Sequence, residues 1–564
     1  MSTVEPLTLR GGSCLPTLGC IALLLVMAVL PYLRVITQGY FLGDDFGYIQ
    51  LYSDKSAKAF LPLFAGDWAM GIFGENQQEI RPLVCLSYKT DYALWGVNAS
   101  GFHASNVLGH ALNVILLFFI SYLLTGKDRM TALVCAALFA AVPVHAGAVS
   151  WIAGRGDLIS GFFWLASVLC LICFLRSDWT WAYVASVVFF TASLFSKEPV
   201  VVLPALLAAC VLFYRSHRRT ARVGAGPLLA PFLLVLALYL LLRYIAFGNA
   251  LTTDEPMSPV SLRYLPSLLA VLVVPMMRDL WQQDVRVFAL LASAASGLLA
   301  VLFCVRVYRE RRALASAWPL VLLGCAWYSI ALLPSAVAGG REDRYLYIPS
   351  AGFCLAAAPL LAALCRHRSG ARRAVAGLCI VLFLLINAGV LVGANEAWVR
   401  AGRASRRLEL DFSRLAGSVP RGSFVVFVNP PRSARRTLVW EWALPFALQE
   451  PFSLVSRDLV ILETPEVHWC PTEDCWWQTR RTSFQEVLTR SSPVYLAFWD
   501  HRQACLRTVP VNPEALACFR QQMRDMRFNR YTALSLVPSL IAVPPRCPAG
   551  SARTPPARRE ALLK

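Results

Sequence analysis

The sequence predicts a polytopic α-helical membrane protein of about eleven transmembrane helices, followed by a small α/β domain. Three observations carry this. Of 564 residues, 57% are hydrophobic and only 15% are charged, against about 45–50% and about 25% in soluble domains. The apolar residues come in blocks that approach the ~20 residues a helix needs to cross ~30 Å of hydrocarbon. Only helices or closed barrels span lipid, and long unbroken apolar runs mean helices. From about residue 395 the text changes to short β-rich runs separated by Pro, Ser and Arg.

Taken in order, the apolar runs fall near 18–36, 104–124, 131–148, 157–176, 179–196, 199–214, 227–246, 285–307, 317–336, 347–365 and 373–393. The first lacks a basic region followed by a small-residue cleavage site, so it reads as a retained anchor. Orientation follows the arginines. "YRSHRRTAR" (214–222), "RVYRERR" (306–312) and "CRHRSGARR" (365–373) fall on one side in this count, which makes that side the cytoplasm. Most loop acids fall opposite, among them Asp44, Asp45, Asp67, Glu79, Asp157, Glu198, Glu342 and Asp343. The run "LPSLLAVLVVPMM" (265–277) is short and carries two prolines. It reads as a re-entrant or interfacial helix on the outer side. The N-terminus is then cytoplasmic and the region after the last span extracytoplasmic.

The chain thus divides into a membrane domain at 1–394, an extracytoplasmic α/β domain at 395–548 and a disordered tail at 549–564, rich in Pro, Ala and Arg. In the middle part, "SFVVFVNPP", "RDLVILE" and "PVYLAFWD" read as strands and "TSFQEVLTR" as a helix. Cys470–Cys475 and Cys505–Cys518 are candidate disulfides in an oxidising compartment, with Cys547 left over and the pairing open. A zinc site at "CPTEDC" is the alternative. The net charge of +19 sits largely in the short cytoplasmic loops, where orientation explains it. It therefore carries no argument for nucleic acid.

Ionisable groups at the membrane mark function by default. The first outer loop, 37–103, opens with "FLGDDFGYIQ", in which Asp44 and Asp45 stand side by side. Two adjacent like charges are costly unless something needs them. Later in that loop come Glu79 and Arg81, and then His103, Asn106 and His110 at i, i+3, i+7. These last share one helix face that looks into the protein, where hydrogen bonding between helices is the first reading and metal ligation the second. "VPVHAGAVSWIAGRGDLISGFF" adds His145, Arg155 and Asp157, "FSKEPVVVLP" adds Lys197 and Glu198, and "GGREDRYLYIPSAGF" adds Arg341, Arg344 and Tyr347. Any one of these pairs has a bland explanation as an ion pair at a helix end. Together, four loops bring acids and fixed cations to one membrane face. Arginine holds phosphate through two parallel bonds, and a carboxylate supplies a general base. That combination suits a lipid-linked phosphate and an acceptor that must lose a proton.

These stretches, in this order over roughly residues 40–365, resemble the C-type membrane glycosyltransferases that use polyprenyl-phosphate sugars. They are most similar to the transmembrane and tetratricopeptide-repeat protein O-mannosyltransferases. The resemblance implies a C-type glycosyltransferase fold and an inverting transfer of mannose or a similar hexose to an acceptor hydroxyl. It implies that Asp44 or Asp45 is the base and the other its partner, with Asp44 preferred. It implies that Arg155, Lys197, Arg341 and Arg344, helped by Tyr347, hold the donor phosphate. Glu79, Arg81, His103, Asn106, His110, His145, Asp157 and Glu198 would shape the acceptor side. Some relatives use a divalent metal, Mg or Mn, so no cofactor is fixed. The departure is that no 34-residue repeat follows the membrane domain. The acceptor, whether protein, lipid or glycan, is therefore open, and the likeness is to a bacterial relative in the inner membrane, with the endoplasmic reticulum as the alternative. A transporter or lipid-linked-sugar flippase would also bury charges among helices, and would show related halves with broken helices at the midplane. A scaffold would leave the outer acids dispensable.

Overall fold

A computed structural model describes residues 16–70, 77–217, 225–250, 286–309, 314–337, 342–366 and 369–419, together with parts of 424–509. The chain forms two compact units, one of Met1–Arg406 with Arg432–Phe452, the other of Arg407–Pro431 with Ser453–Lys564.

The first unit is helical. Its elements are α1 (Thr17–Val29), α2 (Leu33–Gln38), α3 (Asp44–Ser53), α4 (Pro82–Trp95), α5 (Ala99–Leu124), α6 (Arg129–Ala141), α7 (Ala146–Ser150), α8 (Arg155–Ser177), α9 (Thr180–Leu194), α10 (Leu203–His217), α11 (Ala225–Phe247), α12 (Arg286–Arg309), α13 (Trp318–Val337), α14 (Tyr347–Leu364) and α15 (Gly370–Ser418). All eleven apolar runs are helical. Among the described residues, eight helical stretches are long and apolar enough to cross a membrane, or nine if the bent pair Arg129–Ala141 and Pro143–Ser150 is one span. Large apolar side chains such as Leu18, Leu25, Leu234, Leu298 and Leu385 stand exposed on these helices, as a lipid-facing surface requires. Helix α9 has only 15 residues, about 22 Å of helix. The run 265–277 lies outside the described residues.

Two departures from the expected spans have local causes. The run 131–148 bends by 52° because Pro143 has no N–H to continue the ladder and forces Val142 to an extended ψ of 118. The run 373–393 belongs to a helix of 49 residues, about 74 Å long. Past 393 it continues through Ala, Leu, Glu and Arg, which are strong helix formers, with Arg400–Glu396 and Arg407–Asp411 pairs at i, i+4. The boundary expected at 395 falls inside it.

The spans pack closely where side chains are absent. On α13, a Cβ at Gly324 would lie 2.6 Å from the Gly352 carbonyl of α14, and one at Gly352 would lie 2.4 Å from the Tyr328 backbone N. Only glycine permits this backbone-to-backbone approach, a known device between membrane helices.

The contacts also sort the loops onto two ends. At one end Arg366 pairs with Asp128, and Arg176 donates to the Leu123 carbonyl at 2.6 Å. At the other, Asp45 accepts from Ala153 N–H, and Lys197 pairs with Asp157. These are the two sides into which the count of spans places those loops.

In the second unit, β1 (Phe424–Val428) lies between and parallel to β4 (Val460–Glu463) and β5 (Val494–Asp500), and β6 (Cys505–Val509) runs antiparallel to β5. The first three are the runs read as strands. Strands β2 (Ser433–Ala434) and β3 (Thr437–Leu438) form a short antiparallel pair in the first unit. Among the described residues Cys505 carries a free thiol, so the expected bridge to Cys518 is unmade at its described end. Cys470, Cys475, Cys518, Cys547, the 482–490 helix and the 549–564 tail lie outside the described residues.

Candidate active site

The acid turn is built on a glycine. Gly43 sits at φ 47, ψ −117, a conformation other residues reach only with strain. It turns the chain so that Asp44 and Asp45 are the first residues of α3, where carboxylates face the positive end of the helix dipole. The two acids then differ. Asp45 is fully buried. One carboxylate oxygen accepts Leu42 N–H at 2.9 Å, and the other accepts Ala153 N–H at 2.8 Å. Burial pushes its carboxyl well above the ordinary range, and those two donors offset this only in part. Asp44 is half-buried. Asp45 therefore ties the turn to the 150–155 loop, and Asp44 is the acid with access to solvent.

That loop leads to the cations. Asn106 donates to the carbonyls of Val149, Trp151 and Ile152 at 3.0–3.4 Å, fixing the loop to α5. The Trp151 ring lies under Arg344, whose Cζ is 4.7 Å from its centroid. Arg344 pairs with Glu342 at 2.6 Å, and the Glu342 side chain is 58% exposed. The Tyr345 ring is flanked by two cations, Arg344 Cζ at 5.4 Å and Lys197 Nζ at 5.2 Å. Lys197 in turn bonds Asp157 at 2.5 Å. Burial lowers its hold on its proton below the ordinary lysine range, and the Asp157 carboxylate opposes that. A small cleft beside this pair is lined by Ser160, Trp164, Val200, Ser335 and Tyr345.

A second cluster braces the same end. Arg81 donates to Glu198 at 2.6 and 3.0 Å and also pairs with Glu79. Trp68 Nε1 donates to Glu79 at 2.6 Å, and the Trp68 ring stacks on Tyr48 of α3 at 4.0 Å. Glu79, Arg81 and Glu198 thus connect the first loop to the segment leading into α10.

Of the other expected donor-binding residues, two are buried among protein partners and one is not described. Arg155 is 2% exposed. It pairs with Asp91 at 2.8 Å, donates to the Ile152 carbonyl and lies over the Tyr88 ring at 4.5 Å. These contacts hold its guanidinium among protein partners. Tyr347 is 1% exposed and faces inward, its hydroxyl bonded to His110 at 2.9 Å and Asn113 at 3.0 Å. Its ring edge would be 3.2 Å from a Cβ at Gly161, so glycine makes the space that draws it in. Arg341 lies outside the described residues.

His103, Asn106 and His110 do share an inward face, and all are buried. His145 bonds Ser350 at 2.8 Å, so His110 and His145 join α14 to the core. Among the described residues no three His, Cys, Asp or Glu side chains gather as metal ligands. Each Asp45 oxygen already accepts one backbone N–H. Sequence reading passed over Tyr345 and Trp151, which stand inside the quoted stretches, and Asp91, which stands in the first outer loop.

No family model matches the chain. It is 36% identical over 171 residues to protein O-mannosyl-transferase TMTC1 of Homo sapiens, covering 29% of this chain and 18% of that one. It is 32% identical over 176 residues to protein O-mannosyl-transferase tmtc2 of Xenopus laevis, covering 29% and 21%. The chain thus spans about a fifth of the length of these curated relatives. Among solved structures, ArnT from Cupriavidus metallidurans bound to undecaprenyl phosphate matches at 12% identity and a TM-score of 0.48, over 86% of this chain and 94% of that one. That likeness is too distant to bear weight. Over the matched stretch the chain is similar to protein O-mannosyl-transferases, the family its own motifs resemble.

Proposed function

We propose that the chain is an inverting membrane glycosyltransferase that moves a sugar from a polyprenyl-phosphate carrier to an acceptor hydroxyl. The observation that carries this reading is the Tyr345 ring flanked by Lys197 and Arg344, at the same end of the bundle as the acid turn. Asp44 accepts the proton of the acceptor hydroxyl as its oxygen attacks the anomeric carbon. The bond from that carbon to the phosphate oxygen breaks, and the polyprenyl phosphate leaves from the opposite face, which inverts the anomeric centre. Lys197 and Arg344 stabilise the charge gathering on the phosphate. Asp45 holds the turn against Ala153 and does not itself take the proton. General-base help of this kind is worth ~10²–10⁴-fold. The arginine distribution supports placing this end on the extracytoplasmic face. The similarity to O-mannosyl-transferases favours mannose as the sugar, with the acceptor class open. Purified protein incubated with a panel of radiolabelled polyprenyl-phosphate sugars should transfer or hydrolyse at least one of them. No release from any donor rejects the reading.

A further inference from the structure

The chain does not leave the acid turn behind after its last span. The segment Arg432–Phe452 returns to it and meets α3 at both ends. At the N-terminal end, Gly43 N–H donates to the Val439 carbonyl at 2.8 Å. At the other, Gln50 Nε2 donates to the Glu450 carbonyl at 2.7 Å. Between them, Phe452 sits edge-on to Phe41 at 5.2 Å and Phe46 at 4.8 Å. Trp440 is fully buried and lies edge-on to Phe46 at 5.9 Å. Its indole N–H donates to Ser405 Oγ at 2.6 Å, and that hydroxyl donates to the Phe41 carbonyl at 2.7 Å. A chain of bonds thus runs from Trp440 through Ser405 of the long helix α15 into "FLGDD".

Helix α3 has ten residues, and isolated helices shorter than ~12–15 residues are marginal in water. Its placement must come from what packs on it. Gly43 is buried, so without the Val439 carbonyl its N–H would be left unpaired, at a cost comparable to a lost hydrogen bond. The Trp440–Ser405 pair fixes Phe41, two residues before the turn.

We propose that Trp440 and Ser405 are positioning residues for Asp44: through Val439 and Phe41 they hold the turn that aims its carboxylate at the acceptor hydroxyl. This rests on the reading of Asp44 as base. It makes part of the region after the last span a component of the catalytic unit.

The test uses the full chain and two variants. Trp440→Phe keeps a ring and removes the N–H, and Ser405→Ala, the milder change, removes one hydroxyl. Hydrogen exchange at the amides of 46–50 should rise about tenfold or more in both, with the 152–177 span unchanged. With radiolabelled polyprenyl-phosphate mannose as probe, turnover should fall about tenfold with donor KM within about twofold of wild type. The acidic limb of the pH–rate profile, which reports protonation of the base, should move. Loss of folded enzyme alone would lower turnover and leave that limb in place. Unchanged exchange at 46–50, or an unmoved limb in both variants, overturns the proposal. If the wild type releases sugar from no donor, the functional reading fails, and the exchange result alone decides whether this segment holds α3.

Discussion

At one end of the helix bundle Arg366 closes on Asp128. At the other, Lys197 closes on Asp157 and Arg344 on Glu342. The pairs are made of the same chemistry, yet their surroundings differ. Asp128 also caps α6, accepting Met130 N–H at 3.1 Å and Thr131 N–H at 3.4 Å, so its carboxylate is committed to helix ends. At the Asp44 end the two cations share the Tyr345 ring, one beside a cleft and one with a largely exposed partner. Glu342 is the exposed partner of that pair, at 58% against 20% for Arg344, so on the proposed reading a donor phosphate would compete with a solvent-facing carboxylate for Arg344. The pair Arg366–Asp128 ties helix ends together, and on the proposed reading Lys197 and Arg344 are the cations held for a phosphate.

Mutations sharpen this contrast. The largest effect is expected from Asp44→Asn, which keeps the shape and removes the charge: turnover should fall ~10²–10⁴-fold with donor affinity retained, as measured by release of labelled sugar and by equilibrium binding. Turnover near the wild-type rate would return the base to Asp45 or remove it from this end. Next comes Arg155→Ala, which strands Asp91 as a buried charge. Breaking such a pair costs ~3–5 kcal/mol, so thermal melting in detergent should show a marked loss of stability. Donor affinity of the folded fraction should stay within about twofold, and a selective loss of affinity would restore Arg155 to the donor site. Lys197→Ala and Arg344→Ala should each weaken donor binding by about tenfold, or ~1.4 kcal/mol; Lys197→Ala also strands the buried Asp157 and should lower melting markedly, whereas Arg344→Ala, which frees the exposed Glu342, should change melting less. The smallest effect belongs to the other end. Asp128→Ala should cost about 1 kcal/mol through its lost cap and leave turnover per folded molecule unchanged. A drop in turnover there would break the contrast.

Most of the helices were legible because a lipid core demands a property that text shows directly, a run of about 20 apolar residues. The bend at Pro143 was visible as a proline but not as a direction. The continuation of α15 past 393 was not, since its end as a span is a change of solvent rather than of backbone. Of the candidate site, the acid turn and the cations Lys197 and Arg344 could be seen, because charge beside a membrane is rare. What could not be seen was which charges are mutually enclosed. Arg155 stands next but one to Asp157 in sequence, yet it pairs with Asp91 on a different helix. Tyr347 lies three residues after Arg344, but the intervening turn Asp343–Leu346 is a tighter 3₁₀ helix. Its ring follows the space left by Gly161 into the core. The Arg432–Phe452 segment carries no motif, and its role exists only through what it packs against.

The contrast between the two ends can be tested without assuming which sugar is carried. A polyprenyl phosphate bearing a photoreactive group near the phosphate should crosslink to the purified chain in detergent, and the labelled peptides can be read by mass spectrometry. The account predicts label in peptides containing residues 41–50, 151–157, 197–200 or 343–347, suppressed by excess unlabelled polyprenyl phosphate. Competed label confined to the turns around Asp128 and Arg366, with none at the Asp44 end, would contradict it.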